Sequence, residues 1–350
     1  MFFSSDNAGP AAPEVLAALA EANEGYAPPY GADDLMTEVR DRLRQIFEAP
    51  EAAVYLVGTG TAANSLALAC LNPPWATIYC HSHAHVEADE CAAPEFFTGG
   101  AKLTLIDGPD GKLLPDPLHA RLAATMEGFV HSVQRGTITI SNLTESGAAY
   151  TPAEVAALGA VAREFGVALH MDGARFANAI VGTNASPADM TWRAGVDALS
   201  FGGTKNGLMG VEAVLLFDPA KAWEFELRRK RAAHLFSKHR YLSAQMAAYL
   251  RDDLWKRLAG QANAAARRLA EGIEAIEGAH LLHPVGGNQV FAAWPRGGHR
   301  RAQEAGAYYY LWPMTETMEG PDEEPVSARL VCNWATEAAA VERFLELIRE

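Results

Sequence analysis

From about residue 30 to residue 220 short apolar runs alternate with helical patterns, and this alternation limits the fold more than any other feature of the chain. Strands separated by helices pair through crossovers rather than hairpins, which gives a mainly parallel sheet with helices on its faces. Ala53–Val57 (AVYLV) is one such run, and it passes straight into GTGTAAN and the apolar helix SLALACL. A second run, Val167, Ala168, Leu169 and Met171, delivers Asp172, with Arg175 one turn further on. A third, Asp197 to Gly202, delivers Thr204 and Lys205 in a glycine-rich turn. Ligands of open α/β sheets bind just beyond the carboxyl ends of the strands. These three turns therefore form the candidate site.

Each turn carries its own chemistry. The backbone N–H groups at a helix N-terminus attract phosphate, and Thr59, Gly60 and Thr61 stand at that position with two hydroxyls to add. The turn is not a P-loop, because the G-K-[ST] ending is missing, and Ala63 takes the place of the third glycine of G-x-G-x-x-G. One lysine and one carboxylate at neighbouring strand ends suit pyridoxal phosphate: the lysine can form a Schiff base, and the carboxylate can keep the pyridine nitrogen protonated. Taken singly, each motif has a plainer meaning, namely a tight helix start, a D-G-x-R turn and a loop lysine. Their order and shared setting favour the cofactor.

The remaining elements follow from local pattern. Residues 13–24 read as a short helix, with Val15, Leu16 and Leu19 on one face. The Gly/Pro-rich loop GYAPPYGADD presents Tyr26 and Tyr30, and residues 33–48 place Leu35, Val39, Leu43, Ile46 and Phe47 at helical spacing. A capping box, Thr151 to Glu154 with Pro152 at the first helical position, opens residues 151–165, and Gly166 ends them. Beyond residue 220 the pattern is strongly helical over 221–250 and 253–277. Short strands and a last helix, ATEAAAVERFLELIRE, follow. The chain is expected to divide near residue 250 into a large α/β domain (1–250) and a smaller C-terminal α+β domain (251–350).

Composition narrows the function classes. With 49% hydrophobic and 21% charged residues the chain reads as soluble and globular. A formal charge of −14 disfavours a nucleic-acid surface, and the single basic run, Arg228-Arg229-Lys230-Arg231, lies in a helical pattern as a solvated or interface face. Four cysteines, Cys70, Cys80, Cys91 and Cys332, are scattered without a CxxC pair, as expected in a reducing compartment. The start of the chain does not read as a signal peptide, and no apolar run approaches the roughly 20 residues that span a bilayer. The expected setting is cytoplasmic, with no membrane partner.

HSHAHVEADEC raises a rival. On a strand His81, His83 and His85 would share one face, and with Glu87, Asp89, Glu90 and Cys91 nearby a metal-dependent hydrolase is conceivable. The H-x-H-x-D-H arrangement is absent, however, and on a helix only His81 and His85 share a face. One imidazole stacked on a flat cofactor ring is the better functional reading, and no metal ligand is assigned.

Several motifs together resemble one family. SSDN, PPYGADD, GTGTAAN, HAHVEADECAAPEFFTGGAKL, LTESG, HMDGARFANA, SFGGTKNG and SARLVCNW match, in order, the threonine aldolases, fold-type-I pyridoxal-phosphate enzymes of the β-eliminating lyase group. The resemblance implies retro-aldol cleavage of a β-hydroxy-α-amino acid to glycine and an aldehyde. An aminotransferase or a β-eliminating lyase on the same fold is the nearest alternative. It further implies that Lys205 is the Schiff-base lysine, Asp172 the partner of the pyridine nitrogen and His85 the stacking imidazole. Thr59, Gly60, Thr61 and Thr204 would hold the phosphate. Arg175 and Arg329, with Ser5 nearby, would hold the substrate carboxylate, as paired arginines can in bidentate fashion. His85 and His131 are the candidates for the β-hydroxyl proton. Tyr30 would enter from a neighbouring subunit of a homotetramer, a dimer of dimers. The segment RRKRAAHLFSKHRYLSAQ departs from the family's glycine-rich version, and Arg240 within it is expected to reach a phosphate across an interface. The acidic stretch TMEGPDEEPVSA is expected to be a solvent loop.

Overall fold

The structure is a computed structural model and describes residues 1–349. Its large sheet has seven strands: β1 (Ala53–Val57), β2 (Ile78–His81), β3 (Leu103–Ile106), β4 (Ile138–Ser141), β5 (Leu169–Gly173), β6 (Ala198–Phe201) and β7 (Glu212–Leu216). They lie in the order β1-β7-β6-β5-β4-β2-β3. β3, β2, β4, β5 and β6 are parallel neighbours, while β7 runs antiparallel to both β6 and β1. The alternation seen in the sequence is thus real, and β7 is its exception: the turn after Lys205 is too short for a crossover, so the chain returns as a hairpin.

Both faces of this sheet are covered. One cluster, built on Val54, Leu56, Ile138, Ile140, Leu169, Met171, Leu199 and Phe201, meets the helices Asp34–Ile46, Pro152–Phe165 and Arg240–Leu250. The other face packs Val57, Val214 and Leu216 against the Gly60–Leu71 helix. That helix is apolar nearly all round, as a helix sandwiched between other elements must be.

A second, fully antiparallel sheet has the order β10-β11-β9-β8, with β8 His280–Leu281, β9 Gln289–Pro295, β10 Tyr310–Leu311 and β11 Pro325–Val331. Its core holds Trp294, Leu330 and Phe344 together with Phe3 from the start of the chain. The helix Leu254–Glu274 joins the two cores: Leu254, Trp255 and Leu258 pack into the first, Ala266, Leu269 and Ile273 into the second. The helical stretch expected over 221–250 is broken between Arg231 and Arg240.

Two surface readings change. Arg229, from the basic run, is buried: its Nη1 donates to the Leu56 carbonyl at 3.3 Å, and its guanidinium lies over the Tyr55 ring. The acidic stretch is more than a solvent loop, because Arg296 donates to the Pro321 carbonyl at 2.6 Å and to Glu324 at 3.0 Å, and Arg300 pairs with Asp322. No helix among the described residues is long and apolar enough to cross a membrane.

Candidate active site

Strand ends and the turns that follow them build one cavity of about 260 Å³. Thr59, Gly60, Thr61, Asn64, His85, Asp172, Arg175, Thr204, Lys205 and Glu212 are among the residues that line it. β1 ends at Val57 and the Gly60–Leu71 helix starts at once, so that its first residues, Gly60 and Thr61, line the cavity. Thr59 is the N-cap and its Oγ1 accepts from the Ala62 N–H at 3.2 Å, which leaves the amides of Gly60 and Thr61 outside the helical ladder.

Lys205 rides on a single turn, Thr204–Asn206, between β6 and β7. Three anchors fix that turn. The buried Asn206 donates to the Tyr249 hydroxyl at 2.7 Å and to the Trp255 carbonyl at 2.8 Å. Gly203 N–H donates to Glu212 at 2.6 Å, and Glu212 opens the antiparallel strand β7 at the same sheet edge. Gly207 closes the turn at φ +97°, in the left-handed region that side chains resist. At Gly202 a Cβ would stand 2.2 Å from the Ala174 carbonyl, so the Lys205 and Asp172 turns approach as closely as they do only through glycine.

Asp172 sits at the end of β5, 5% exposed. Its Oδ1 accepts from the Ala174 N–H and its Oδ2 from Asn64 Nδ2, both at 2.9 Å. Burial alone would raise its pKa. His85, the Ala174 N–H and Lys205 outweigh that and hold the carboxyl below the usual range. His85 opens a four-residue helix, and its Nδ1 lies 2.7 Å from Oε1 of the buried Glu90. The hydrogen bond to Glu90 is the main reason its pKa is raised above 6.5.

The three histidines part company. His81 ends β2 as a buried neutral ring, its Nδ1 accepting from the His83 N–H at 3.0 Å and its Nε2 facing the Gly108 carbonyl at 3.0 Å, with burial lowering its pKa. His83 lies in the turn beyond and is exposed. Among the described residues the ligand-capable atoms that cluster are those of His85, Glu90 and Asp172, within 4.8 Å of one another, without His81 or His83.

Arg175 reaches the cavity but is largely committed. Its Nε and Nη2 donate to Asp6 at 2.7 and 3.0 Å, and both side chains are buried. Asn288 adds a bond to Asp6 at 3.0 Å. Asp6 of the SSDN motif, 169 residues away, thus engages Nε and Nη2 of Arg175, a pairing that local pattern could not reveal. Ser5 does not line the cavity; its hydroxyl accepts from the Asn7 N–H at 3.2 Å, and Asn7 lines the cavity instead.

Arg329, on β11, lines an adjoining cavity of about 500 Å³ with Trp312, Tyr310, Met314 and His283, and Glu145 borders both spaces. Its guanidinium lies 5.8 Å from the Trp312 ring centre, and its buried Nε has no partner among the described residues. Burial and the nearby Arg175 lower its pKa.

Besides Ser5, three further expected residues line neither of these two cavities. His131 is exposed in the turn segment after Thr125, against the Phe129 ring. Tyr30 is 48% exposed beneath Lys230. Arg240 donates to the Gly25 carbonyl at 3.0 Å and leans on Tyr241. Conversely, pattern reading did not single out Asn64, Glu145 or Glu212 for the site, and it weighed Glu90 only as a metal ligand.

The chain is similar to known proteins over nearly its whole length. The family model described as β-eliminating lyase matches residues 3–294. The chain belongs to the β-eliminating lyase family. Within it, the sequence is 41% identical over 348 residues to the low specificity L-threonine aldolase of Pseudomonas aeruginosa, covering 99% of this chain and 96% of that one. It is 39% identical over 347 residues to the enzyme of the same description from a Pseudomonas species, with the same coverage. Among solved structures, the threonine aldolase of Leishmania major superimposes with a TM-score of 0.91 at 27% identity, over 99% of this chain and 98% of that one. The serine palmitoyltransferase of Sphingomonas wittichii shares the fold alone, with a TM-score of 0.72 at 15% identity over 100% of this chain and 86% of the other. The family member described here is thus a fold-type-I lyase of threonine-aldolase type.

Proposed function

We propose that this enzyme cleaves β-hydroxy-α-amino acids such as threonine and allo-threonine to glycine and an aldehyde, with pyridoxal phosphate as cofactor. The observation that carries the reading is the meeting of Lys205, Asp172, His85 and a free helix N-terminus in one cavity, in a chain 41% identical to a threonine aldolase. The donor set fits the cofactor. Open space above Gly60 and the amides of Gly60 and Thr61 suit a phosphate, with Thr59 and Thr204 beside them. An ionised, buried Asp172 suits a protonated ring nitrogen, the flat His85 ring suits stacking, and the Lys205 amine suits the carbonyl carbon. When bound, the cofactor supplies an electron sink for the pair released from the Cα–Cβ bond.

The chain's own residues do the rest. Arg175 and Arg329 lie near one another as like charges, and Arg329 Nε has no partner among the described residues, an arrangement that favours an incoming carboxylate. Asp6 holds Arg175 rigid while it does so. The β-hydroxyl proton passes to an imidazole, His85 in this reading, as the Cα–Cβ bond breaks and the aldehyde carbonyl forms. Tyr30 and Arg240, outside this chain's own cavity, are assigned to a neighbour's site in a homotetramer. The four cysteines carry no disulfide, which suits the cytoplasm.

Purified protein should absorb in the visible range with pyridoxal phosphate bound and release acetaldehyde from threonine. Borohydride should fix a pyridoxyl group on Lys205, and Lys205→Ala should abolish turnover. Appreciable acetaldehyde release by that variant would sink the assignment.

A further inference from the structure

Behind the cavity wall four side chains are joined in series. Glu90 Oε1 faces His85 Nδ1 at 2.7 Å and Asn64 Nδ2 at 2.8 Å, and the same Asn64 Nδ2 reaches Asp172 Oδ2 at 2.9 Å. Glu90 and Asn64 are 3% and 1% exposed. The amide nitrogen has two hydrogens and spends one on each carboxylate. Turning the Asn64 amide over would set its oxygen against two carboxylate oxygens, so the orientation is dictated by its neighbours. Burial raises the Glu90 pKa, and the bonds from His85 and Asn64 oppose that. With Glu90 ionised, both contacted oxygens are acceptors, and Oε1 meets His85 Nδ1 favourably when that nitrogen carries the hydrogen.

Two consequences follow for His85. Its Nδ1–H is tied to Glu90, so Nε2 is the one ring nitrogen left to gain or lose a proton. Asp172, in turn, has its two oxygens held by Asn64 and the Ala174 N–H and makes no bond to the imidazole. Glu90 Oε2 and Asn64 Oδ1 are buried without hydrogen-bond partners among the described residues.

We propose that Glu90, braced by Asn64, is a positioning residue that holds His85 in its Nδ1–H form and reserves Nε2 for the β-hydroxyl proton, leaving Asp172 to the cofactor nitrogen. This rests on the retro-aldol reading for the identity of the proton, but not for the state of the ring. In the step itself the O–H bond breaks and an Nε2–H bond forms, the O–H pair becomes the second bond of the carbonyl, and the Cα–Cβ pair would pass to the electron sink that bound cofactor supplies. The charged groups facing His85 are Glu90, Asp172 and Glu145, with Lys205 beside Asp172.

The test uses histidine-¹⁵N-labelled protein without added cofactor, with His85→Asn to assign the signals. Wild type should show His85 protonated at Nδ1 throughout and titrating at Nε2 above the ordinary midpoint. Glu90→Gln keeps the acceptor but removes the charge. It should keep the Nδ1–H form and lower the midpoint by about one pH unit, as loss of a neighbouring carboxylate does. Glu90→Ala should lose the fixed tautomer. In the cofactor-loaded enzyme the acid limb of kcat should move down with the midpoint in Glu90→Gln. Unchanged His85 signals in both variants would overturn the proposal. A shifted midpoint with an unmoved acid limb would overturn its link to the reaction. Failure of wild type to cleave threonine would instead defeat the functional reading and leave the ring measurement standing.

Discussion

Asp6 shows how a residue outside the chemistry can govern it. It is fully buried with Arg175, and removing one member of such a pair strands the other charge. Asp6→Ala should lower unfolding stability by about 3–5 kcal/mol in chemical denaturation. Burial would raise the Asp6 pKa, but Arg175 and Lys205 outweigh it, so the folded value lies below 3.8. The protein therefore gains this stability in full above the unfolded value and loses it as pH falls through the folded one. The difference between wild type and variant should shrink on acidification. A difference that grew toward low pH would contradict the ion pair. The positions of Asp172 and Lys205 were legible at this scale because an apolar strand leads into each, Asp172 at the end of β5 and Lys205 in the turn after β6. Asp6 was not, since nothing near it in the chain distinguishes it from an ordinary turn aspartate.

At the scale of elements, the capping box was legible to the residue. Thr151 Oγ1 accepts from the Glu154 N–H at 3.3 Å, Glu154 Oε2 accepts from the Thr151 N–H at 2.7 Å, and Gly166 ends the helix at φ +66°. Thr151→Ala should cost about 1 kcal/mol in denaturation and leave turnover unchanged, because the cap touches no cavity residue. The histidine run shows the opposite case. Alternation predicted one shared face if the segment were a strand, but β2 stops at His81, a turn takes His83, and a helix begins at His85. Periodicity assigns faces only within one element. The segment after Arg231 likewise carries a helical composition yet breaks, and its His234 instead accepts from the Gly58 N–H at 3.3 Å beside the Thr59–Thr61 turn.

Across the whole molecule, the site depends on both cores. Arg329 comes from the small sheet and faces a space bordered by the large one, so it can bind substrate without touching the cofactor turns. Arg329→Ala should raise KM for the amino acid roughly ten- to a hundred-fold, the loss of one charge-assisted hydrogen bond, with visible absorbance of the bound cofactor unchanged. A collapse of that absorbance would show Arg329 to be misplaced. The sequence by itself determined the α/β alternation, the strand-end lysine and aspartate, and the glycine turn at a helix start, because each is set by neighbours along the chain. Only the tertiary structure decided that Asp6 occupies Arg175, that Asn64 bridges Glu90 and Asp172, and that His131 stays in an exposed turn away from the cavity. Those outcomes rest on which buried polar group finds which partner across many residues of chain, and burial penalties, not local pattern, select the pairing.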